Sequence, residues 1–369
     1  MTLNTLSKKD VTKLFLMAVI AMVIWGIIGL FLICLMQIVS MQNFAKDSVH
    51  KHGIAEMQAS RLGGTAIIFG GVCVLVFLAV GGLKGSGSGP LNIDWFAWIS
   101  ILGCMALGLV EDIRNDSLSP RLRLSVTTLI FGVVLWNWPV LVPTSIGAPI
   151  IDELLSFPSL AFLLVLIFCV GFLNAINMAD GANGLVSGIG VVANIIFYNE
   201  IGGLGFLVVL MSCSVFLIFN TISGRLFLGD AGAYGIGACI LISSLYFYAE
   251  GYSSLSFLAV LFCYPCLDFL YSITRRLFQG RSILHPDNDH LHNRIHFQYR
   301  KVFKSKNMAN SASGLTVVSM SSGIALWGYL TDLLPIVSEL WSLVFLAQCI
   351  VYGLCYYLTG RSALERQSA

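Results

Sequence analysis

An all-α, polytopic integral membrane fold is predicted by three features of this sequence. Of its 369 residues 57% are hydrophobic and only 11% charged, with a mean hydropathy of +0.85, whereas a soluble domain carries about a quarter charged residues. The apolar residues fall into runs close to the roughly 20 needed to cross a bilayer. Short polar turns separate the runs, and three of them concentrate carboxylates and amides.

Eleven runs are read as spans: 14–39, 62–83, 95–110, 124–142, 160–179, 184–198, 204–219, 233–249, 255–277, 315–334 and 340–358. Several are short or Gly-rich, which implies tilt, a break or packing through small residues. The first run exceeds a signal-peptide core and has no small-residue cleavage pattern, so it is read as retained. Residues 1–369 form one integral-membrane unit with no soluble domain left over. All ten cysteines lie in or at the ends of runs, as small apolar fillers. Cys263-Tyr264-Pro265-Cys266 has the spacing of a redox pair, but it sits in an apolar run rather than the cytosolic setting such pairs need.

Orientation follows from Lys and Arg. Loops after odd-numbered spans and the C-terminal tail hold 17 of the 21 basic residues, placing those loops in the cytoplasm and the N-terminus outside. Lys8, Lys9 and Lys13 oppose this for the first span.

In chain order, the polar loop after the first run ends in Ser60-Arg61-Leu62-Gly63-Gly64-Thr65, where Arg61 is either a phosphate ligand or an interfacial anchor. Residues 84–90 read as a flexible Gly/Ser linker. Glu111-Asp112 closes the third run; adjacent carboxylates there need a cation, or Arg114, Arg121 and Arg123 as solvated counter-charges. The fifth run ends in Asn174-Ala175-Ile176-Asn177-Met178-Ala179-Asp180-Gly181-Ala182-Asn183-Gly184-Leu185. Asn174, Asn177 and Asp180 at steps of three share a helix face; a helix C-cap explains Gly181 but not the intramembrane amides. After the seventh run, Phe227-Leu228-Gly229-Asp230-Ala231-Gly232 offers Asp230 either as an N-cap or as a ligand for a divalent cation. In the ninth run Asp268 is read as structural, paired with an arginine such as Arg275. The last long loop carries His285, His290, His292 and His296; without cysteines and beside Arg294 these fit anion binding better than metal binding. Residues 301–306 read as a basic run facing anionic lipid, too short for nucleic acid.

In this order the motifs resemble the polyprenyl-phosphate N-acetylhexosamine-1-phosphate transferases, the membrane family that includes phospho-MurNAc-pentapeptide translocase. Arg61-Leu62-Gly63-Gly64, Glu111-Asp112, Asn174 to Leu185, Phe227 to Gly232 and Asp289 to Arg294 resemble its five cytoplasmic elements. The resemblance implies transfer of a sugar-1-phosphate from a UDP-sugar to undecaprenyl or another polyprenyl phosphate, with release of UMP and with Mg²⁺, or Mn²⁺ in its place. It implies that Asp230 holds the metal with Asp112, and that Asp112, with Glu111 beside it, acts on the lipid phosphate. It further implies that Asn174, Asn177 and Asp180 line the nucleotide site and Phe227 stacks on uracil, while Arg61, His290, His292 and Arg294 neutralise pyrophosphate.

Glu111 stands where an aspartate is usual, Asn293 where a histidine is common, and Ala233-Tyr234 where small residues often follow. These departures point to a surface-polysaccharide branch, O-antigen or capsule, rather than to the muramyl-pentapeptide substrate. The expected setting is the bacterial inner membrane with the site on its cytoplasmic face, and a homodimer is a further expectation. Two other classes compete. An ion-coupled transporter would place its polar groups near the midplane in symmetric repeats, and a silent lipid-carrier-binding protein would lack the carboxylates.

Overall fold

Residues 8–42, 45, 59–81, 95–114, 118–282 and 289–364 are described by the structure, a computed structural model. The linker read at 84–90, most of the loop before Ser60, His285 and residues 365–369 lie outside the described residues. The described residues form fifteen α-helices: α1 (Lys8–Ser40), α2 (Gly63–Val80), α3 (Trp95–Arg114), α4 (Pro120–Asn137), α5 (Pro149–Leu155), α6 (Pro158–Ala179), α7 (Leu185–Ile201), α8 (Leu204–Ser223), α9 (Gly229–Ala249), α10 (Leu255–Leu261), α11 (Cys263–Phe278), α12 (Leu291–Tyr299), α13 (Lys306–Met320), α14 (Ser322–Leu330) and α15 (Trp341–Leu364). Every apolar run falls on a helix, so the all-α membrane class holds. The count of eleven spans is not reproduced: seven helices are long and apolar enough to cross, or eight if α10 and α11, bent by 79°, count as one. α7 is too short, and α4, which opens on Arg121 and Arg123, is not among them.

α9 is the centre. Its buried side includes Ala231, Gly232, Ala233, Gly235, Gly237 and Ala238, so α2, α3, α6 and α7 can approach its backbone. The approach is closest at the Asp230 end. A methyl on Gly64 would overlap the Gly232 backbone, and one on Gly108 would overlap the carbonyl of Asp230. These two glycines press the starts of α2 and α9 and the end of α3 into one place.

The breaks also have local causes. Pro265 has no N–H to bond Leu261 O one turn back; Ser322 Oγ donates to that carbonyl instead, at 2.6 Å. The tenth run breaks at Ser321 (φ −113°, ψ −97°), and Gln348 of α15 donates to the Ser321 carbonyl at 3.1 Å. Each bend is thus satisfied from a neighbouring helix.

α1 corrects the expected topology. Gly26 (φ 59°, ψ −139°) interrupts it, and a methyl on Gly29 would overlap Ala21 O, so the two halves touch. Asp10 pairs with Arg225 at 2.6 Å, while Ala45 O accepts from Arg61 N at 2.8 Å; Ser60 N in turn donates to Arg225 O at 3.1 Å. An unbroken helix from 10 to 45 would keep its ends about 50 Å apart. α1 is therefore a helical hairpin that leaves on the face it enters, and the N-terminal end lies with Arg61, not opposite it. The opposition of Lys8, Lys9 and Lys13 to the charge rule disappears. Cysteines placed singly at Thr12 and Met41 in a cysteine-free background are expected to react with an impermeant maleimide from the same side of the membrane; labelling from opposite sides would contradict the hairpin.

Candidate active site

Arg61 joins the first polar elements. Ser60 and Leu226 form a parallel bridge in which Phe227 N donates to Ser60 O (2.8 Å), and the first N–H groups of α2 continue it, Gly63 to Phe227 O (2.9 Å) and Gly64 to Leu228 O (2.7 Å). This zipper delivers Arg61 beside the start of α9. Its Nε lies 3.3 Å from Asp112 Oδ1 and its Nη2 3.3 Å from Asp230 Oδ2. Asp112 in turn accepts the first amides of α9, from Asp230 N (3.0 Å) and Ala231 N (2.8 Å). Gly229, with φ +73°, makes room: a side chain there would meet both Arg61 O and Asp112. Two helix-N-terminal amides and a guanidinium thus meet the oxygens of a carboxyl group that solvent does not reach.

Asp112 is fully buried, whereas the Asp230 side chain keeps 16% of its surface open. Asp112 thus anchors the site, and Asp230 faces its opening. Glu111, one residue earlier and a third of a helical turn away, points elsewhere and accepts the N–H of Leu118 (3.0 Å), tying the loop before α4 to α3. Its neighbour Ser119 caps α4 by accepting from Leu122 N.

The α6–α7 turn supplies the third carboxylate. Asp180 caps α6, its N–H donating to Asn177 O (3.3 Å), and it is half-buried within electrostatic reach of Asp230, Asp112 and Arg61. Desolvation, then the charges of Asp230 and Asp112, push its carboxyl well above the ordinary 3.8, with Arg61 opposing. Asn177 is half-buried one turn earlier, while Asn174 turns its amide back onto Val170 O (2.7 Å). The turn is pinned by amides. Asn220 of α8 accepts from Gly184 N (2.7 Å) and donates to Leu226 O (2.8 Å), linking the Asp180 turn to the Asp230 loop. Asn183 donates to Asn307 of α13 (2.9 Å) and accepts from Asn220 (3.4 Å).

The histidine loop is held by tyrosines and acids of α11 and α15. Tyr264 meets His292 Nδ1 at 2.6 Å. Asp268 meets His290 Nδ1 at 2.6 Å and accepts from Leu291 N and Tyr352. Arg294 forms a two-pronged pair with Asp289 (2.6 and 2.9 Å) and lies over the Tyr356 ring, and Tyr356 and Arg275 also hold Asp289. Burial works against ionisation of Asp289, but the donors on Arg294 and Tyr356 keep its carboxyl below the usual range. The loop meets the carboxylates through His292, whose Nε2 lies against Gly181.

The structure therefore brings together Arg61, Asp112, Asp180 and Asp230 with the half-buried Phe227 beside them, and reaches His292 through Gly181. Arg294 is engaged by Asp289, so its charge is largely offset in place. Tyr264, Asn220, Asn307, Tyr352 and Tyr356 were not read as site residues. Asn220 at the end of an apolar run and the tyrosines one turn apart on α15 were the available signals; Tyr264 lay inside the Cys263–Cys266 stretch, whose cysteines are free. Among the described residues no group of three His, Cys, Asp or Glu forms a ready metal cage.

Residues 95–248, which carry Asp112, Asp180 and Asp230, match glycosyl transferase family 4. The family read from the motifs is the one matched. The chain is 29% identical over 202 residues to the undecaprenyl-phosphate alpha-N-acetylglucosaminyl 1-phosphate transferase of Thermotoga maritima, covering 55% of this chain and 60% of that protein. It is 24% identical over 251 residues to the phospho-N-acetylmuramoyl-pentapeptide-transferase of Clostridium perfringens, 63% and 75% of the two lengths. It is also 27% identical over 271 residues to the decaprenyl-phosphate N-acetylglucosaminephosphotransferase of Mycobacterium leprae, 64% and 66%. The chain thus aligns with somewhat more than half of the Thermotoga relative.

Burial and the neighbouring carboxylates give Asp180 a physical signature. Its native pKa is raised above 3.8, so its stabilising state is the protonated one, present in full below pH 3.8 and lost as pH rises through the native value. Asp180→Asn, which stays neutral, is expected to raise Tm in detergent at pH 7 and to match the parent near pH 3.5. A lower Tm at pH 7 would contradict the crowding of like charge.

Proposed function

We propose that this chain transfers a sugar-1-phosphate, an N-acetylhexosamine-1-phosphate, from a UDP-sugar to undecaprenyl or a similar polyprenyl phosphate, releasing UMP and starting assembly of a cell-surface polysaccharide such as O-antigen or capsule. The carrying observation is that Asp112 and Asp230 share Arg61, with Asp180 within electrostatic reach of all three, where apolar helices end. A polyprenyl phosphate can present its phosphate only at that boundary, and a nucleotide sugar can approach only from water. The relatives named for undecaprenyl- and decaprenyl-phosphate support the acceptor class. The basic residues clustered on the same side favour the cytoplasmic face of the inner membrane.

In this reaction an oxygen of the lipid phosphate bonds to the phosphorus bearing the sugar, the bond from that phosphorus to the UMP oxygen breaks, and UMP leaves. Both reactants are anions, so the site must offset charge before they meet. Arg61 offers one positive charge against three carboxylates, and that excess is the donor chemistry a divalent cation needs. Mg²⁺ fits, since it takes one or two protein carboxylates and completes its shell with water and phosphate oxygens. Asp230 would hold it, with Asp112 behind. When bound, the metal would supply Lewis-acid stabilisation of phosphate charge.

The chain's own groups do the rest. Arg61 orients Asp230. Asn177 and Asp180 border the nucleotide, Phe227 offers a ring for uracil, and His292, with His290 stacked on it, stands at Gly181 beside Asp180. Arg294 acts by fixing the loop through Asp289. Asp112, sealed by backbone amides, holds α9 in register and reaches the lipid phosphate only if the α9 amides are released.

Membranes carrying the protein, given undecaprenyl phosphate and a panel of UDP-sugars, are expected to release UMP with at least one of them. Asp230→Asn is expected to lower that rate about 1000-fold or more while remaining folded. No UMP from any donor, or near-wild-type activity of Asp230→Asn at saturating Mg²⁺, would defeat the assignment.

A further inference from the structure

We propose that Tyr264 is a positioning residue that fixes His292 as the neutral Nε2–H tautomer and aims that N–H past Gly181 at a phosphoryl oxygen of the substrate. The substrate half rests on the transferase reading above; the tautomer half does not.

The argument begins with one proton. The phenol of Tyr264 has a single hydrogen, and its oxygen already accepts the backbone N–H of His292 at 3.2 Å. The same oxygen lies 2.6 Å from His292 Nδ1. If Nδ1 carried the ring hydrogen, the phenol would receive two donors and its own proton would have no acceptor among the described groups, in a place where both residues are buried. Leaving a buried donor unmade costs about 1–3 kcal/mol. The phenol therefore donates to Nδ1, and the ring hydrogen belongs on Nε2.

The ring cannot turn away. His290 stacks parallel on it, with centroids 5.5 Å apart and planes within 2°. Nε2 faces Gly181, where any side chain would overlap it, and no described hydrogen bond engages this nitrogen. Only a glycine fits next to Asp180 against this nitrogen, so Nε2 lies directly at the Asp180 turn. Burial pushes the pKa of His292 down to about 4, His290 and His296 adding to the effect and Asp268 opposing it. At neutral pH the ring gives a directed hydrogen bond without a charge to desolvate. Tyr264 owes its place to the bend at Phe262 and to Pro265, which give a reason for this stretch that its cysteines do not.

The test pairs a spectroscopic readout with kinetics on the full chain in nanodiscs. In protein labelled with ¹⁵N-histidine, the signal removed by His292→Gln is expected to show an unprotonated Nδ1 and a protonated Nε2, unchanged from pH 5.5 to 8. Tyr264→Phe should shift it toward a mixture of tautomers. A protonated Nδ1 in the parent protein overturns the proposal whatever the activity. In UMP release, Tyr264→Phe is expected to cost about 10-fold or more in the parent. It should cost little in the His292→Gln background, because the Gln amide bears hydrogen at the Nε2 position without help. His292→Gln should also outperform His292→Asn, whose amide stops at the Nδ1 position. Equal losses from Tyr264→Phe in both backgrounds make Tyr264 a packing residue only and overturn the proposal. If the tautomer is found but no UDP-sugar yields UMP, the transferase reading fails while the tautomer assignment stands.

Discussion

Asp112 is buried with a backbone amide on each oxygen and a guanidinium beside it, and the placement of the other polar groups depends on this carboxylate. A buried carboxyl group in that position is tolerable only while its partners stay. Removing the α9 amides or Arg61 would leave it uncompensated in a low-dielectric surround, so the end of α3, the start of α9 and the mouth of α2 are constrained together. Asp230 inherits its aim from this constraint. The cluster is thus rigid on its membrane side and open on the side where Asp230 and Asp180 stand.

Rigidity at that point needs backbones closer than ordinary side chains permit. Gly64 against Gly232 and Gly108 against Asp230 supply the approach, and Gly229 supplies the left-handed turn that feeds the amides to Asp112. The amides of Asn220 and Asn183 then carry the register across to the Asp180 turn and to α13. The histidine loop is held separately, from α11 and α15, and meets the carboxylates at Gly181. Two scaffolds therefore converge on one opening, which suits a reaction whose two substrates arrive from different phases.

Much of this was legible in the sequence because a polar residue at the end of an apolar run demands a reason. Arg61, Asp112, Asp180 and Asp230 stood out in that way, and the structure collects them. Glu111 stood out equally and turned elsewhere, since neighbours in a helix point about 100° apart and only one of an adjacent pair can face the site. The hairpin in α1 was not legible: hydropathy reads the same through Gly26 whether the chain crosses or returns, and only the contacts of both ends, Asp10 with Arg225 and Ala45 with Arg61, reveal the direction. The breaks at Phe262 and Ser321 were hidden for a similar reason, because their freed carbonyls are satisfied by Ser322 and Gln348 from distant stretches. Tyr264, Tyr352 and Tyr356 look like ordinary interfacial aromatics until the loop they hold is in view.

The central claim is that Arg61 acts as a fork spanning two carboxylates, not as a point of positive charge. UMP release by Arg61→Lys measures this most directly, since lysine keeps the charge and cannot reach both partners with fixed geometry. The account predicts that Arg61→Lys falls to within about threefold of Arg61→Met. Activity of Arg61→Lys above roughly a tenth of the parent rate would contradict it.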